Sequence, residues 1–339
     1  VEPRIPDAFH RVICDHVLTR GNAWKKEEAA MYTSLFSHPS CIDHDTGIGH
    51  PECPERLKAV LAALEGEAFH FLDRRVAPRA EVEQLARVHP ADYIERVLAA
   101  IPSEGMVELD NDTILCPSSG EAALRAAGAV CAAVDAVMSG EARNAFCATR
   151  PPGHHAERAR AMGFCLFNNV AVGAEHARKV HGISRVAVID FDVHHGNGTQ
   201  DIFQDDPGLF YASTHQAHLY PNTGLPEERG VADNIVNVPL PEMAGSPEFR
   251  HAMMTRVFPA LEHFQPELIM ISAGFDAHTR DPLASLHLVD DDYVWVTRKL
   301  GELAREYCGA RIVSTLEGGY DIRALASSCA AHVQELMAA

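Results

Sequence analysis

Residues 185–200 read RVAVIDFDVHHGNGTQ, and this stretch decides the fold. Val186, Ala187, Val188 and Ile189 form an apolar run, as a strand does when both faces of its sheet are covered. Asp190, Asp192, His194 and His195 follow at once, and Gly196 and Gly198 then end the extended chain in a turn. In open α/β sheets, ligands bind beyond the carboxyl ends of the strands. Residues two apart point the same way in extended chain, so Asp190, Asp192 and His194 can share a face. Carboxylate oxygens with an imidazole nitrogen make a donor set for a divalent metal. A lone Asp or His at a strand end more often caps a helix or bonds to backbone. The run D-x-D-x-H-H closing in G-N-G outweighs that reading.

Strand and helix alternate on either side of this stretch. Short apolar runs predict strands over 32–37, 144–149, 209–213, 235–238, 268–273 and 311–316. Helical spacing covers 55–64, 169–181, 248–264 and 293–307, and 85–100 with His89-Pro90 disturbing its start. Ser118-x-x-Glu121 has the form of a capping box before a further helix that Gly140 ends. The alternation predicts one α/β domain, a mainly parallel central sheet flanked by helices. Residues 1–30 show no clear period and read as an N-terminal arm of unknown role, leaving 31–339 as the folded domain. No internal repeat or low-complexity tract is visible.

The 339 residues are 47% hydrophobic and 22% charged, an ordinary globular composition. A net charge of -18 argues against a nucleic-acid binder. No uninterrupted apolar run approaches the roughly 18 residues of a membrane span. The opening VEPRIPDAFHR does not resemble a signal peptide. Nine cysteines, an odd number without a C-x-x-C, read as reduced thiols in a cytoplasmic setting.

Four predicted strands end in unusual polar motifs. Thr149 leads into RPPGHHA, Ile189 into DFDVHHGNG, Ala273 into GFDAH and Leu316 into EGGY. Four such ends on one edge of a sheet converge on one pocket. Asp276 then adds a second carboxylate, so Asp192, His194 and Asp276 make three metal ligands with a position left open, the form of a catalytic rather than a structural zinc. His154 and His155 are adjacent and cannot easily ligate one ion together. They suit acid and base roles, with Asp190 and Asn197 available to orient them. Tyr320 follows two glycines whose backbone freedom lets the phenol turn inward, where it can donate to an oxyanion.

RPPGHHA, GFCLFNN, DFDVHHGNGTQ, SAGFDAH, EGGY and HPECPERL together resemble the signature of the zinc-dependent histone deacetylase-like amidohydrolases, in the class II branch. The resemblance runs from about Tyr32 to the C-terminus. It implies the arginase/deacetylase fold and hydrolysis of acyl groups from the ε-amine of lysine. It implies one zinc per chain on Asp192, His194 and Asp276, and His155 as general base and acid oriented by Asn197. His154 would pair with Asp190, and Tyr320 would hold the oxyanion. Asn197 itself fits class II, since class I relatives carry Asp there. Phe164 and Tyr220 match the walls of an acyl-lysine tunnel, and Gly163 would offer its carbonyl to the substrate amide. A structural potassium or sodium ion is implied at Asp190, Asp192, His194, Ser213 and Thr214. An acetylated polyamine is the alternative substrate. Polyamine-selective relatives carry an acidic gatekeeper just after the Asp-Pro that follows the third metal ligand, where this chain has Leu283. A binuclear manganese enzyme of the same fold would need more carboxylates than are evident. A homo-oligomer is compatible with all of this.

Overall fold

Eight strands lie side by side, and every pairing between them is parallel. They are β1 (Thr33–Ser37), β2 (Asp73–Val76), β3 (Asn144–Cys147), β4 (Val186–Asp190), β5 (Leu209–Gln216), β6 (Ile235–Leu240), β7 (Leu268–Ala273) and β8 (Ile312–Leu316). Their order across the sheet is β2-β1-β3-β8-β7-β4-β5-β6. The computed structural model describes residues 32–339, so the arm expected over 1–30 lies outside the described residues.

Alternate side chains of β4 enter opposite halves of the core. Ala187 and Ile189 join the cluster containing Tyr293, Val296, Leu325 and Val333, while Val186 and Val188 join the one containing Val130, Val134, Val170 and Ala174. The first cluster is built from α5 (Asp290–Tyr307) and α6 (Ile322–Ala338), the second from α2 (Ser119–Ser139) and α3 (Asn169–His181). A sheet covered on both faces explains why its inner strands read as unbroken apolar runs. β2 escapes that pattern. Its sequence DRRV is charged and half exposed because it is an edge strand, where charge discourages pairing with another chain.

Three local readings change. Ser118 makes no cap through its side chain, because its own backbone is already helical (φ -86°, ψ -10°). Glu121 instead accepts from Arg125 Nε at 2.7 Å. The helix expected over 85–100 becomes Val82–Leu85 and Ala91–Ala99, parted at Pro90. The one expected over 248–264 contains a π-turn at Met253–Val257, just before Pro259, whose ring would crowd the carbonyl four residues back. α2 is long and apolar enough to cross a membrane, with mean hydropathy 1.4, yet 72% of that window is buried in the protein, as in a core helix.

The four motif-bearing strands are neighbours, β3-β8-β7-β4. Since all are parallel, their carboxyl ends rise together at one edge.

Candidate active site and metal centre

Asp192, His194 and Asp276 meet just beyond β4 and β7. His194 Nδ1 lies 3.1 Å from Asp192 Oδ1 and 3.1 Å from Asp276 Oδ2. All three are buried, and one ligand atom from each falls within 4.8 Å of the others. The remaining oxygens are tied to backbone. Gly318 N donates to Asp192 Oδ2 at 2.8 Å and Val193 N to Asp276 Oδ1 at 2.8 Å. The carboxylates are thus aimed before any ion arrives. Gly318 permits this approach, because a Cβ there would fall 2.1 Å from Asp276 Oδ2. Burial, then the charge of Asp192, raises the Asp276 carboxyl to about 7. Two buried carboxylates around one imidazole repel each other, and a dication between them would offset that repulsion. The donor set therefore fits a divalent metal.

The two histidines of RPPGHHA take different partners. His154 Nδ1 donates to Asp190 Oδ2 at 2.9 Å, and His155 Nδ1 donates to Asn197 Oδ1 at 2.8 Å. Asn197 opens the short helix α4 (Asn197–Phe203). Burial opposes charge on both rings. For His154 it is overcome by Asp190 and Asp192, which raise it to about 10. For His155, burial and the neighbouring His154 and His194 act together and hold it well below its ordinary value. Paired groups pushed apart in this way are suited to divided acid and base work. With Nδ1 protonated, His155 Nε2 keeps its lone pair.

Gly163 makes room for His155. Its φ is +56°, and a Cβ would stand 2.4 Å from His155 Cδ2. Phe164 beside it also has a positive φ, 69°. A channel of about 210 Å³ is lined by His155, Gly163, Phe164, His194, Leu219, Tyr220, Leu283 and Tyr320, with Asp112. Tyr220 meets His155 edge-on at 5.2 Å, and Phe164 meets Tyr320 edge-on at 5.9 Å. The expected wall residues and the expected oxyanion donor therefore share one space with the candidate metal ligand His194. The Gly163 carbonyl already accepts from the Cys165 thiol at 3.2 Å. A larger cavity of about 410 Å³ lies at the β6 edge and contains none of these groups.

Tyr320 is held from behind by residues that the sequence reading passed over. Asp281 Oδ2 accepts from Tyr320 N at 2.7 Å. The Arg56 guanidinium sits 4.9 Å from the Tyr320 ring centroid and donates to the carbonyls of Gly319 (2.6 Å) and Glu317 (2.5 Å). Arg56 in turn donates to Glu52 Oε1 at 2.9 Å, and Arg150 grips both oxygens of Glu52. Glu52, Arg56 and Arg150 are fully buried. All three occur inside HPECPERL and RPPGHHA. The available signal was a carboxylate and two guanidiniums within Pro-rich loops, a setting usually solvated. The Glu317 carboxylate, also missed, accepts from Gly153 N (2.7 Å), His154 N (3.2 Å) and Ser272 Oγ (3.1 Å). It ties the histidine loop to β7.

For the implied monovalent ion, Asp190 faces Ser213 across β4 and β5. Ser213 Oγ bonds His215 Nδ1 at 2.9 Å, while Thr214 Oγ1 is buried without a partner. Among the described residues, one other group is close enough to hold a metal: Asp135, His176 and His181. Arg87 Nη1 donates to His176 Nδ1 at 2.7 Å, so Nε2 carries the ring proton and donates to Asp135 at 2.7 Å. That nitrogen has no lone pair for a metal, and the group is a hydrogen-bonded cluster on α2 and α3.

Residues 50–336 match the histone deacetylase domain. The chain belongs to the histone deacetylase family. It is 41% identical over 315 residues to the histone deacetylase-like amidohydrolase of Pseudomonas aeruginosa, covering 89% of this chain and 82% of that protein. It is 36% identical over 323 residues to histone deacetylase 14, chloroplastic, of Arabidopsis thaliana, covering 89% and 76%. Among solved structures, the HDA15 HD domain superimposes with a TM-score of 0.84 at 32% identity, covering 91% of this chain and 89% of that one. The α/β deacetylase fold expected from the motifs is the fold found.

Proposed function

We propose that this chain hydrolyses the acyl amide of modified lysine side chains at a single zinc held by Asp192, His194 and Asp276. The observation that carries the reading is one narrow channel reaching His194, His155 and Tyr320 together. Zinc bound there supplies polarisation of the acyl carbonyl and a lowered pKa for water. His155 Nε2, with its lone pair free, takes the proton of the attacking water, and a protonated histidine returns it to the leaving amine. The Tyr320 phenol donates to the oxyanion; burial holds it well above its usual range, so it keeps its proton. Phe164 and Tyr220 enclose the lysine stem, and the Gly163 carbonyl receives the amide N–H. A potassium or sodium ion at Asp190, Asp192, His194, Ser213 and Thr214 is part of this reading, supported by the unpartnered Thr214 hydroxyl. The eight described cysteines are unpaired, which supports a cytoplasmic setting.

The Asp112 carboxylate in the channel lining favours a second reading, in which the substrate is a cationic acetylated polyamine. Leu283, apolar where polyamine-selective relatives are acidic, favours acyl-lysine. Zinc-loaded protein assayed on an acetyl-lysine peptide and on acetylputrescine decides between them. Tyr320→Phe is expected to lower kcat by roughly 100- to 1,000-fold, the scale of one oxyanion donor. Deacetylation unchanged in Tyr320→Phe and in His155→Ala refutes these roles.

A further inference from the structure

Glu157 lies two residues beyond His155 in the loop after β3, and the proposed chemistry leaves it without a task. Its Oε1 accepts from Asn197 Nδ2 at 2.9 Å. The same amide nitrogen faces Met162 Sδ at 3.3 Å and the His155 carbonyl at 3.5 Å, both acceptors. Asn197 is more than nine-tenths buried. The loop is pinned at Glu157 N, which donates to Arg160 O at 3.0 Å.

An asparagine amide has two nearly equal ends, and here the choice matters. With Oδ1 toward His155, Nδ1 must carry the ring proton and Nε2 stays basic. With the amide turned over, its NH2 would face Nδ1, which would have to accept. The proton would then sit on Nε2, and the base would be lost. The turned amide would also set Asn197 Oδ1 against the Glu157 carboxylate, oxygen to oxygen, at the distance now spanned by a hydrogen bond. We infer that Glu157 is a positioning residue that fixes the Asn197 amide and, through it, the tautomer of His155. An aspartate in place of Asn197 would need no such help, since its two oxygens are equivalent.

The inference rests on the reading of His155 as base, and its test separates the two. Glu157→Gln keeps an acceptor oxygen and should hold kcat within roughly threefold of the parent. Glu157→Lys offers only donors, draws the Asn197 carbonyl to itself, and should lower kcat by roughly 100-fold or more, with KM, zinc content and melting temperature near the parent's. Adding Asn197→Asp to Glu157→Lys should restore kcat to within roughly tenfold of the parent, because a carboxylate accepts from His155 in either orientation. Should the lysine variant not fold, Glu157→Leu, isolated from any new charge, should lose roughly tenfold in kcat. Nitrogen-15 spectra of histidine-labelled protein read the tautomer without turnover: Nδ1–H at His155 in the parent and Nε2–H in Glu157→Lys. A parent inactive on every acyl-lysine overturns the proposed function and leaves the tautomer spectra to judge this inference. A Glu157→Lys protein with parental kcat, an unrescued double variant, or an Nδ1–H tautomer in Glu157→Lys overturns it.

Discussion

Glu52→Gln tests how the back of the site is built. Burial opposes the Glu52 charge, yet the guanidiniums of Arg150 and Arg56 hold its carboxyl down at about 2, against an ordinary 4.5. A depression of that size corresponds to about 3 kcal/mol of stability at neutral pH. Breaking a buried ion pair from one side costs about 3–5 kcal/mol, which brackets the same figure. Glutamine keeps the shape but leaves two buried guanidiniums short of a counter-charge. The variant should melt roughly 4–7 °C below the parent at pH 7, followed by calorimetry on metal-loaded protein. The pH dependence carries a sign. Because the folded pKa lies below the unfolded one, the contribution is complete above about pH 4.5 and is lost as pH falls toward 2. The gap in melting temperature between parent and variant should therefore close over that interval. Turnover should fall as well, since Arg56 lies against the Tyr320 ring and holds the Gly319 carbonyl. Equal melting temperatures at pH 7, or a gap undiminished at pH 2.5, would contradict this.

Two further substitutions probe the channel itself. Gly163→Ala places a methyl 2.4 Å from the His155 ring at a φ of +56°, so kcat should fall by roughly 100-fold while circular dichroism stays parental. Leu283→Glu adds a carboxylate at a channel wall that is 36% exposed. The ratio of kcat/KM for acetylputrescine over acetyl-lysine peptide should rise by roughly tenfold, measured at low salt.

The inner strands were legible because burial on both faces leaves unbroken apolar runs, as in Val186–Ile189 and Leu268–Ala273. β2 was not, because an edge strand is selected for charge and its DRRV carries no apolar pattern. The candidate metal ligands were legible because ligand chemistry restricts residue type at strand ends; period two grouped Asp190 with Asp192 and His194, whereas Asp190 turns to His154. His154 and His155 drew attention as a pair; the motif offered Asp190 and Asn197 as partners without saying which served which, and the family resemblance supplied that assignment. What stayed hidden is the layer behind them. Glu52, Arg56, Arg150, Glu317 and Glu157 act through backbone carbonyls, amide N–H groups or one another. Such bonds leave no periodic trace in the chain. Glu52 and Arg56 share a helix-start motif, but Arg150 lies 98 residues from Glu52, and only the folded sheet brings them into contact.

In the proposed function, one divalent metal on Asp192, His194 and Asp276 supports amide hydrolysis. The direct measurement is the metal content of the purified chain, with acetyl-lysine turnover followed through removal by a chelator and return of zinc. One zinc per chain is expected, with turnover lost on chelation and regained at one equivalent. Two manganese ions per chain, or turnover that chelation leaves untouched, would contradict it.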